Sequence, residues 1–524
     1  MASFQLTAKN YRCFPDSDPL RIEVRNDFTA FVGPNNSGKS TALRLFHELR
    51  QILNHIAHAP SLQQLVVGNT FGLSYLGTED PQEIFCTANE RPIELQFDLP
   101  DAGELAVSRI VLSVDRMAPT TWRGSVFIGP DRVRARGVAV IGNLQGFIDE
   151  RGRAIPPPQD FLGFIGAISG RGLYVGAFRN AISEGAGAYF DLSIGTSFIS
   201  EWHSWKTGGT RAANQAILKL TADLAHIFGY RSLEINSALS GQTLQLVIDA
   251  RPYRLREVGA GFAQFLVVLA NVVIKKPEFL FIDEPELNLH PSLQADFLTT
   301  LAAHCPEGVM FATHSVGLAR SMAESIYGFR REDGLSKVRV FEQLQNLAEF
   351  LGEMSYSSFV DLGHDRLLLV EGVTEVKAVQ QFLRLLGKDH TTVVLPLGGG
   401  QLIRAGVQAE LAELKRVSKN VAVLIDSERA SAGAPLPPDR SAFLQDCTAL
   451  GFRAHALDRR AFENYLTDAA LKRVKGFSYR ALQPFESLSA INPAWGKAEN
   501  WRIARAMTVA DLESTDLGHF LDSI

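Results

Sequence analysis

The chain contains 524 residues, of which 46% are hydrophobic and 21% charged, and its formal net charge is −5. This length predicts two or three domains, and the composition is that of a globular protein rather than a disordered or fibrous one. No run of about 18 or more apolar residues occurs, and four scattered cysteines show no CxxC pair, so we expect a cytoplasmic protein with reduced thiols and no membrane partner. The net charge argues against a chain that is basic throughout, although it allows a local basic surface.

The first predicted elements are three short strands at residues 3–9, 21–25 and 28–32. The third strand leads directly into GPNNSGKS, which matches the GxxxxGK[ST] motif between a strand and a helix. Glycines in such a loop let backbone N–H groups surround phosphate oxygens, and the N-terminus of the following helix adds partial positive charge. We expect Lys39 to reach the β- and γ-phosphates and Ser40 to bind Mg²⁺. The predicted ATP-binding residues of this loop are Gly33, Asn35, Asn36, Ser37, Gly38, Lys39, Ser40 and Thr41.

The long middle region of the chain carries no assignable motif. Residues 54–210 are interpreted as insertions of unassigned role, in which short strands alternate with loops. Within them, the glycine- and serine-rich stretch 168–211 is predicted to be irregular. Helices are predicted at 214–228 and 259–275, and the second of these precedes the apolar strand FLFI at 279–282.

Polar residues follow this apolar strand and the next one, at the strand ends where ligands bind in α/β sheets. Asp283 comes directly after FLFI and suits the coordination shell of Mg²⁺. Glu284 suits the base that orients or deprotonates an attacking water. His314 ends the strand VMFATHS, where it is placed to contact the γ-phosphate. These residues complete the predicted site for Mg²⁺ and ATP.

A second alternation of strands and helices begins near residue 350. The predicted strands are RLLLV, TVVLPL, NVAVLI and RAHAL, and the predicted helices span 375–386, 402–417 and 441–450. This alternation is typical of a parallel sheet built from βαβ units. It predicts a separate C-terminal domain.

Carboxylates follow two strands of this C-terminal domain. Glu371 ends the strand LLLV, Glu375 begins the next helix, and Asp426 and Glu428 end the strand VAVLI. Because the carboxyl ends of parallel strands meet at one edge of a sheet, we expect these side chains to converge there. A cluster of carboxylate oxygens suits Mg²⁺ or Mn²⁺, and metal-assisted phosphodiester chemistry is its natural use.

The segments GPNNSGKST, FLFIDEPELNLHP and FATHS, in this order, resemble the ATP-binding-cassette (ABC) ATPases, and among them the soluble DNA-processing branch. In that family ATP lies between one subunit's phosphate loop and another's signature loop, so the resemblance implies a homodimer or a higher homo-oligomer. It also implies that Arg12, in NYRCF, approaches the nucleotide. The signature loop would comprise Gly259, Ala260 and Gly261, with Gly259 where the family has serine, which implies weak hydrolysis.

The C-terminal pattern of strand-Glu-Gly, a glycine turn in LPLGGGQ (395–401) and strand-Asp-x-acid resembles the Toprim domain of topoisomerases, primases and certain nucleases. The segment RRAFENYL further resembles a pattern found in the overcoming-lysogenisation-defect (OLD) family nucleases. That resemblance implies that Glu463 joins the metal site and that a downstream lysine assists the scissile phosphate. Lys497 is the best local candidate for this lysine, and Lys472 and Lys475 compete with it.

These resemblances imply an α/β protein in which an ABC-type P-loop ATPase domain (1–345) precedes a Rossmann-like Toprim domain (350–524). The implied function is an ATP-regulated, metal-dependent endonuclease that cleaves DNA in genome defence, with a helicase or reverse transcriptase as a candidate partner. Two alternatives stay open, namely cleavage of RNA such as tRNA and a nucleotide-sensing scaffold that recruits an effector. The basic cluster near the proposed nuclease centre favours nucleic-acid contact; it comprises Lys472, Arg473, Lys475 and Arg480. The implied catalytic residues are Glu284, His314, Glu371, Asp426 and Lys497.

Overall fold

The chain is described by a computed structural model. It covers residues 3–72, 78, 80–100, 103–141, 144–177, 186–238, 243–332, 334–340, 366–389, 391–397, 403, 411, 412 and 420–524. Within these ranges, no helix is both long enough and apolar enough to cross a membrane.

The chain divides into two compact units. Unit 1 comprises Met1–Leu289, Thr300–His314 and Ser325–Phe341, and unit 2 comprises His290–Thr299, Ser315–Glu324 and Glu342–Ile524. The predicted boundary between 345 and 350 lies outside the described residues. Two short segments before that boundary, 290–299 and 315–324, group with unit 2.

The sheet that carries the predicted ATP site has six strands in the order β12-β18-β19-β3-β20-β21. Its strands are β3 (Phe28–Val32), β12 (Gly172–Val175), β18 (Phe279–Asp283), β19 (Gly308–Thr313), β20 (Ser325–Glu332) and β21 (Leu335–Val340). All neighbours are parallel except β20 and β21, which pair antiparallel. Every residue of β3, β18 and β19 is buried, as expected for central strands of a parallel sheet that is covered on both faces.

A second sheet of unit 1 is antiparallel and runs in the order β2-β1-β5-β6-β7-β4, with β8 paired to β7. Its strands are β1 (Ser3–Lys9), β2 (Leu20–Arg25), β4 (Phe71–Gly72), β5 (Ile93–Asp98), β6 (Val107–Val114), β7 (Thr121–Ile128) and β8 (Val133–Arg134). Alternate residues of β5 and β6 are buried. This alternation is typical of a sheet with one face on the core.

Three smaller antiparallel sheets complete the strands of unit 1. They are β9 (Gly137–Ile141), β10 (Leu144–Ile148) and β11 (Ala154–Ile155); β13 (Ala186–Tyr189) and β14 (Leu192–Ile194); and β15 (Leu233–Ser237), β16 (Leu244–Ile248) and β17 (Arg251–Arg254). The helices up to β18 are α1 (Lys39–Glu48), α2 (Arg50–Ile56), α3 (Ala59–Val66), α4 (Gln159–Gly170), α5 (Gly195–Thr207), α6 (Arg211–Ile227) and α7 (Ala260–Lys275).

The prediction that residues 168–211 are irregular is wrong for the described part of that stretch. It contains β12, β13, β14 and α5. The glycines and serines obscured an apolar set on α5, where Phe198, Ile199 and Trp202 are buried. Packing of these side chains, rather than intrinsic propensity, accounts for the helix.

Unit 2 contains one described sheet, whose four strands are all parallel and run in the order β23-β22-β24-β25. The strands are β22 (Arg366–Val370), β23 (Thr392–Pro396), β24 (Asn420–Ile425) and β25 (Arg453–Ala456). After α8 (Pro291–Ala302) and α9 (Val316–Met322), the helices are α10 (Val373–Leu385), α11 (Pro438–Ala449), α12 (Asp468–Lys475), α13 (Asn500–Arg505), α14 (Ala510–Glu513) and α15 (Asp516–Ser523).

The predicted parallel sheet of unit 2 is confirmed by these four strands. The glycine turn at 398–400 and most of the predicted helix 402–417 lie outside the described residues. An apolar core formed by residues of β22, β23, β24 and α11 lies against the sheet. The sheet therefore brings the ends of β22 and β24, which are adjacent, to one edge.

Candidate functional site

The phosphate loop of unit 1 has the backbone geometry that its sequence predicts. Gly38 has a φ of 101°, and a Cβ there would lie 2.4 Å from Ser336 Oγ, so only glycine fits. Nζ of Lys39 donates to the carbonyl oxygens of Gly33 (2.8 Å) and Pro34 (3.0 Å). Burial lowers the pKa of Lys39, and the nearby carboxylates of unit 1 oppose this shift.

A cavity of about 300 Å³ opens at this loop. Its lining contains most of the predicted phosphate-binding residues, together with Glu284 and His314. Two lining residues were not predicted from the sequence, namely Cys13 and Arg331. Arg331 lies on β20, 292 positions after the lysine of the motif, so no local signal could have linked it to the site. The strand pairing of β20 with β3 brings it there.

Glu284 and His314 meet at the ends of the neighbouring strands β18 and β19. Nε2 of His314 lies 3.1 Å from Oε1 of Glu284 and 3.4 Å from Nζ of Lys39. A third acid, Glu286, accepts hydrogen bonds from the backbone N–H of His314 (2.8 Å) and the hydroxyl of Thr313 (2.7 Å). Glu286 therefore fixes the turn that carries the histidine. It was missed by the sequence analysis, although it is the third acid within four residues of the strand end.

Asp283 fits the role of a magnesium ligand. Burial raises its pKa to about 6, with Glu284 adding to the shift and a hydrogen bond from Ser40 opposing it. Its Oδ1 atom is buried and has no hydrogen-bond partner among the described residues. A buried carboxylate oxygen without a partner is costly unless a cation binds it. Asp283 and Ser40 are therefore the two residues of this chain that would hold Mg²⁺ with ATP.

Four further residues predicted to bind ATP, namely Arg12 and the three residues of the signature-loop candidate, are absent from the described cavity lining. The guanidinium of Arg12 donates to both carboxylate oxygens of Glu48, at 3.0 and 2.7 Å, and Arg12 is not part of the described cavity lining. The signature-loop candidate begins α7, and its residues are also absent from that lining. Its last glycine, Gly261, lies against the turn after β18. The approach is so close that a Cβ added at Gly261 would lie 2.3 Å from the carbonyl oxygen of Asn288. Their roles toward ATP stay predictions.

In unit 2, four of the predicted carboxylates belong to one electrostatic cluster, which we call the acid cluster: Glu371, Glu375, Asp426 and Glu463. Burial raises the pKa of Asp426 well above its usual value, and the other three carboxylates raise it further. Burial also raises the pKa of Glu375, with Glu463 adding to the shift. The acid cluster thus holds more negative charge than a buried site tolerates without cations.

Basic side chains form ion pairs with several of the carboxylates that were predicted to bind metal. Arg440, on α11, donates to both carboxylate oxygens of Glu371 (2.9 and 3.0 Å) and to the carbonyl oxygen of Asp426 (2.6 Å). Glu428, predicted to bind metal, pairs instead with Arg460 at 2.8 Å. Within the described ranges, no three His, Cys, Asp or Glu side chains are arranged to hold a common metal ion. Glu371 does not contribute to a common metal site in this structure, because both of its carboxylate oxygens face the guanidinium of Arg440.

The structure separates the three lysines that competed for the catalytic assignment. Lys472 pairs with Asp468 and Lys475 with Glu499, whereas Nζ of Lys497 lies 3.0 Å from Oε1 of Glu463. Burial lowers the pKa of Lys497, but the carboxylates of Glu463, Asp426 and Glu375 outweigh this effect and raise it. Lys497 is therefore the lysine that lies at the acid cluster.

Asn500 is a further residue of this cluster that the sequence analysis missed. Its side-chain N–H donates to Oε1 of Glu463 at 3.1 Å, and its carbonyl oxygen accepts from the indole of Trp495 at 3.0 Å. The backbone N–H of Phe462 donates to Oδ1 of Asp426 at 2.9 Å. The RRAFENYL segment therefore contacts the end of β24 through Asp426, and Lys497 and Asn500 contact Glu463 of that segment. Asparagine at the start of a short helix gave no signal of this role.

Comparisons with known proteins support the prediction of an ATPase domain. Residues 227–320 match the family described as "AAA domain, putative AbiEii toxin, Type IV TA system". The matched segment contains α7, β18 with Asp283 and β19 with His314. Together with the phosphate loop, it shows that the chain contains a P-loop ATPase domain of mixed α/β fold. The acid cluster lies outside the matched segment.

A search of curated protein sequences found no match. Solved structures similar to the chain include the SMC head domain from Thermotoga maritima, at 14% identity and a TM-score of 0.32, covering 66% of this chain and 100% of that one. An SMC head bound to the C-winged helix domain of ScpA is 13% identical with a TM-score of 0.35, covering 64% and 97%. TM-scores this low carry no argument about fold or function.

Proposed function

We propose that this chain is an ATP-regulated endonuclease of the OLD type that requires a divalent cation and cleaves DNA. In this proposal unit 1 is an ABC-type ATPase and unit 2 is a Toprim-type nuclease. The family description that matches residues 227–320 names a toxin system, which supports a role in genome defence.

The observation that carries the proposal is the environment of Asp426. Its side chain is 5% exposed, and three further carboxylates raise its pKa. Such a cluster is costly in a folded protein unless it has a function that needs it. It also lies at the carboxyl edge of a parallel sheet, where α/β proteins bind their ligands. Hard carboxylate oxygens in this arrangement are the donors that Mg²⁺ and Mn²⁺ prefer.

The chemistry of the donors suits a divalent cation, although their arrangement among the described residues does not yet form a common site. Glu371, Glu375, Asp426 and Glu463 would hold the cation once Arg440 releases Glu371. A bound cation there would activate water and stabilise the leaving oxygen of a phosphodiester. Lys497, at the rim of the cluster with a side chain 51% exposed, is positioned to contact the scissile phosphate. Asn500, which is buried, donates to the same Glu463 oxygen that Lys497 contacts, so both residues orient this carboxylate.

In unit 1, Glu284 would orient the water that attacks ATP, and His314 would contact the γ-phosphate. The turn at Glu286 keeps His314 beside Glu284. Gly259 has no neighbouring heavy atom within 4 Å of its virtual Cβ, so the start of α7 offers open backbone for the phosphates of a second subunit's ATP. A homodimer with ATP at its interface therefore belongs to the proposal.

A plasmid-nicking assay with Mg²⁺ or Mn²⁺, with and without ATP, tests the proposed function. Wild type is compared with Glu371→Ala and with Glu332→Ala, a matched control that removes an exposed ion pair with Lys337 in unit 1. We expect metal-dependent nicking that is lost in Glu371→Ala and retained in Glu332→Ala, at a rate that changes with ATP.

The same assay separates the alternatives. Cleavage that persists in Glu371→Ala would contradict the assigned site. Cleavage of total RNA but not of plasmid would identify the substrate as RNA. If neither nucleic acid is cleaved under any condition while ATP still binds, the nuclease is rejected in favour of a nucleotide-sensing scaffold.

A further inference from the structure

A short segment of unit 2 interleaves cations with aromatic rings, and one of its two aromatic side chains is almost completely exposed. We call residues 472–480, KRVKGFSYR, the aromatic–basic loop. Phe477 is 91% exposed, although phenylalanine is a residue that folding normally buries. Gly476, with a φ of 99°, ends α12 and turns the chain so that Phe477 leaves the helix. An aromatic ring exposed to water is a ready surface for stacking.

The charge around this ring favours a polyanion. Residues 459–505 contain nine arginines and lysines against four acids, a net charge of +5, whereas the whole chain carries −5. Arg473 donates to the carbonyl oxygen of Ala506, so its positive charge stays available to solvent. Nζ of Lys475 lies 5.4 Å from the centre of the Tyr479 ring. The loop therefore offers both phosphate-binding cations and aromatic faces.

Ion pairs at both ends fix this loop beside the acid cluster. Lys475 pairs with Glu499 at 2.6 Å, and Glu499 also accepts from the backbone N–H of Gly496. That turn carries Lys497, which contacts Glu463. At the other end, Arg480 donates to both oxygens of Glu486, at 2.7 and 2.6 Å. A chain of contacts thus joins the loop to the proposed catalytic lysine.

We propose that the aromatic–basic loop binds an unpaired base of the nucleic-acid substrate, with Phe477 stacking on the base and Arg473 contacting a flanking phosphate. This inference rests on the proposed nuclease function and names its substrate class: a strand with at least one unstacked base next to the scissile phosphate. Bases in an intact duplex already stack on each other, so their faces are closed to a protein ring. A single exposed ring flanked by cations also differs from the contiguous apolar patch that a protein partner needs.

Equilibrium binding in EDTA tests the proposal, measured by fluorescence anisotropy with labelled single-stranded DNA, single-stranded RNA and duplex DNA of one sequence. We expect Phe477→Ala to weaken single-strand binding by about tenfold, the scale of one stacked base, and to leave duplex binding unchanged. Phe477→Trp should bind like wild type, whereas Phe477→Leu should bind like the alanine variant. Met117→Ala is the matched control, because Met117 is 95% exposed in unit 1, and it should change nothing.

Arg473→Gln tests the phosphate contact separately. It should weaken binding of all three nucleic acids and reduce the salt dependence by about one unit of log–log slope. Comparison of the DNA and RNA strands then shows which sugar the loop prefers, and either preference supports the stacking contact.

Unchanged single-strand binding in Phe477→Ala would overturn the proposal, as would full binding by Phe477→Leu. If Phe477→Ala lost affinity equally for duplex and single-stranded nucleic acid, the contact made by Phe477 would not be stacking. Because these measurements contain no divalent metal, they do not depend on cleavage. A chain that fails the nicking assay but loses single-strand binding in Phe477→Ala would refute the nuclease and keep the loop as a binding site.

Discussion

The ATP cavity of unit 1 and the acid cluster of unit 2 are built in opposite ways. The cavity is formed largely by seven consecutive positions, 35–41, whose backbone N–H groups and one lysine would face phosphate. The acid cluster is formed by side chains that directly follow β22 and β24 or lie on α10 and the 462–465 turn, and they are up to 92 positions apart. A site made from consecutive backbone is specified locally, whereas a site made from separate side chains depends on the whole sheet.

The two sites also balance their charges differently. In the ATP cavity, Asp283 keeps a buried oxygen without a partner among the described residues, so the site is prepared for an external cation. In the acid cluster, Arg440 and Lys497 already occupy the carboxylates of Glu371 and Glu463. The first site thus keeps an acceptor atom for an external cation, whereas the protein's own cations pair with two of the four carboxylates of the second.

Glu284→Gln should have the largest effect at the ATP cavity. The amide keeps the shape of the side chain but cannot accept a proton from water, so we expect ATP turnover to fall by roughly 100-fold or more while ATP stays bound. Sedimentation of the variant with ATP should then show an accumulated dimer. A monomer at all ATP concentrations would contradict ATP binding between two subunits.

The sequence predicted the phosphate-loop positions, Glu284 and His314 that line the cavity, because the motif is contiguous and an apolar strand precedes each of the two polar strand ends. Arg12 and the signature-loop candidate are not in the described lining, and their roles toward ATP stay predictions. The sequence also predicted the strands that carry Glu371 and Asp426. It could not predict Arg331, Arg440 or Asn500, since each reaches its partner through packing between segments distant in the chain. Arg440 is an ordinary helical arginine in the sequence, and only its three hydrogen bonds give it a role.

Gly261→Ala should break the packing that holds the start of α7 against the turn after β18. A Cβ at this position would lie 2.3 Å from a backbone carbonyl oxygen, a clash that we expect to cost about 3 kcal/mol of stability. Gly259→Ala is the matched control, because it meets no atom within 4 Å and its φ of −60° is allowed to any residue. Thermal unfolding of both variants checks the difference, and equal melting temperatures would contradict it.

Asp283→Asn should stabilise the protein without nucleotide and remove its response to Mg²⁺-ATP. The folded-state pKa of Asp283, about 6, lies above the unfolded value near 3.9. The folded protein therefore binds this proton more tightly, and stability falls as pH rises between about 4 and 6 and stays lower above it. The asparagine variant lacks that loss, so it should gain on the order of 2 kcal/mol at pH 7.5 and progressively less towards pH 4.

Melting temperatures of wild type and Asp283→Asn between pH 4.5 and 7.5 measure this prediction. With Mg²⁺-ATP at pH 7.5, the order should reverse, because only the wild type gains binding energy from the metal. A constant difference across the pH range would show that Asp283 ionises as an ordinary exposed acid.

Arg440→Gln should have a smaller effect, and it tests how the two sites differ in charge balance. Arg440 faces both oxygens of Glu371, so a metal ion must compete with it for that carboxylate. We expect the variant to bind Mn²⁺ about tenfold more tightly, as measured by electron paramagnetic resonance without substrate. Arg460→Gln is the matched control, since it frees only Glu428, which lies outside the acid cluster. If Arg440→Gln weakens Mn²⁺ binding, the arginine instead holds Glu371 in the orientation that binds metal, and both sites are then preorganised for their cations.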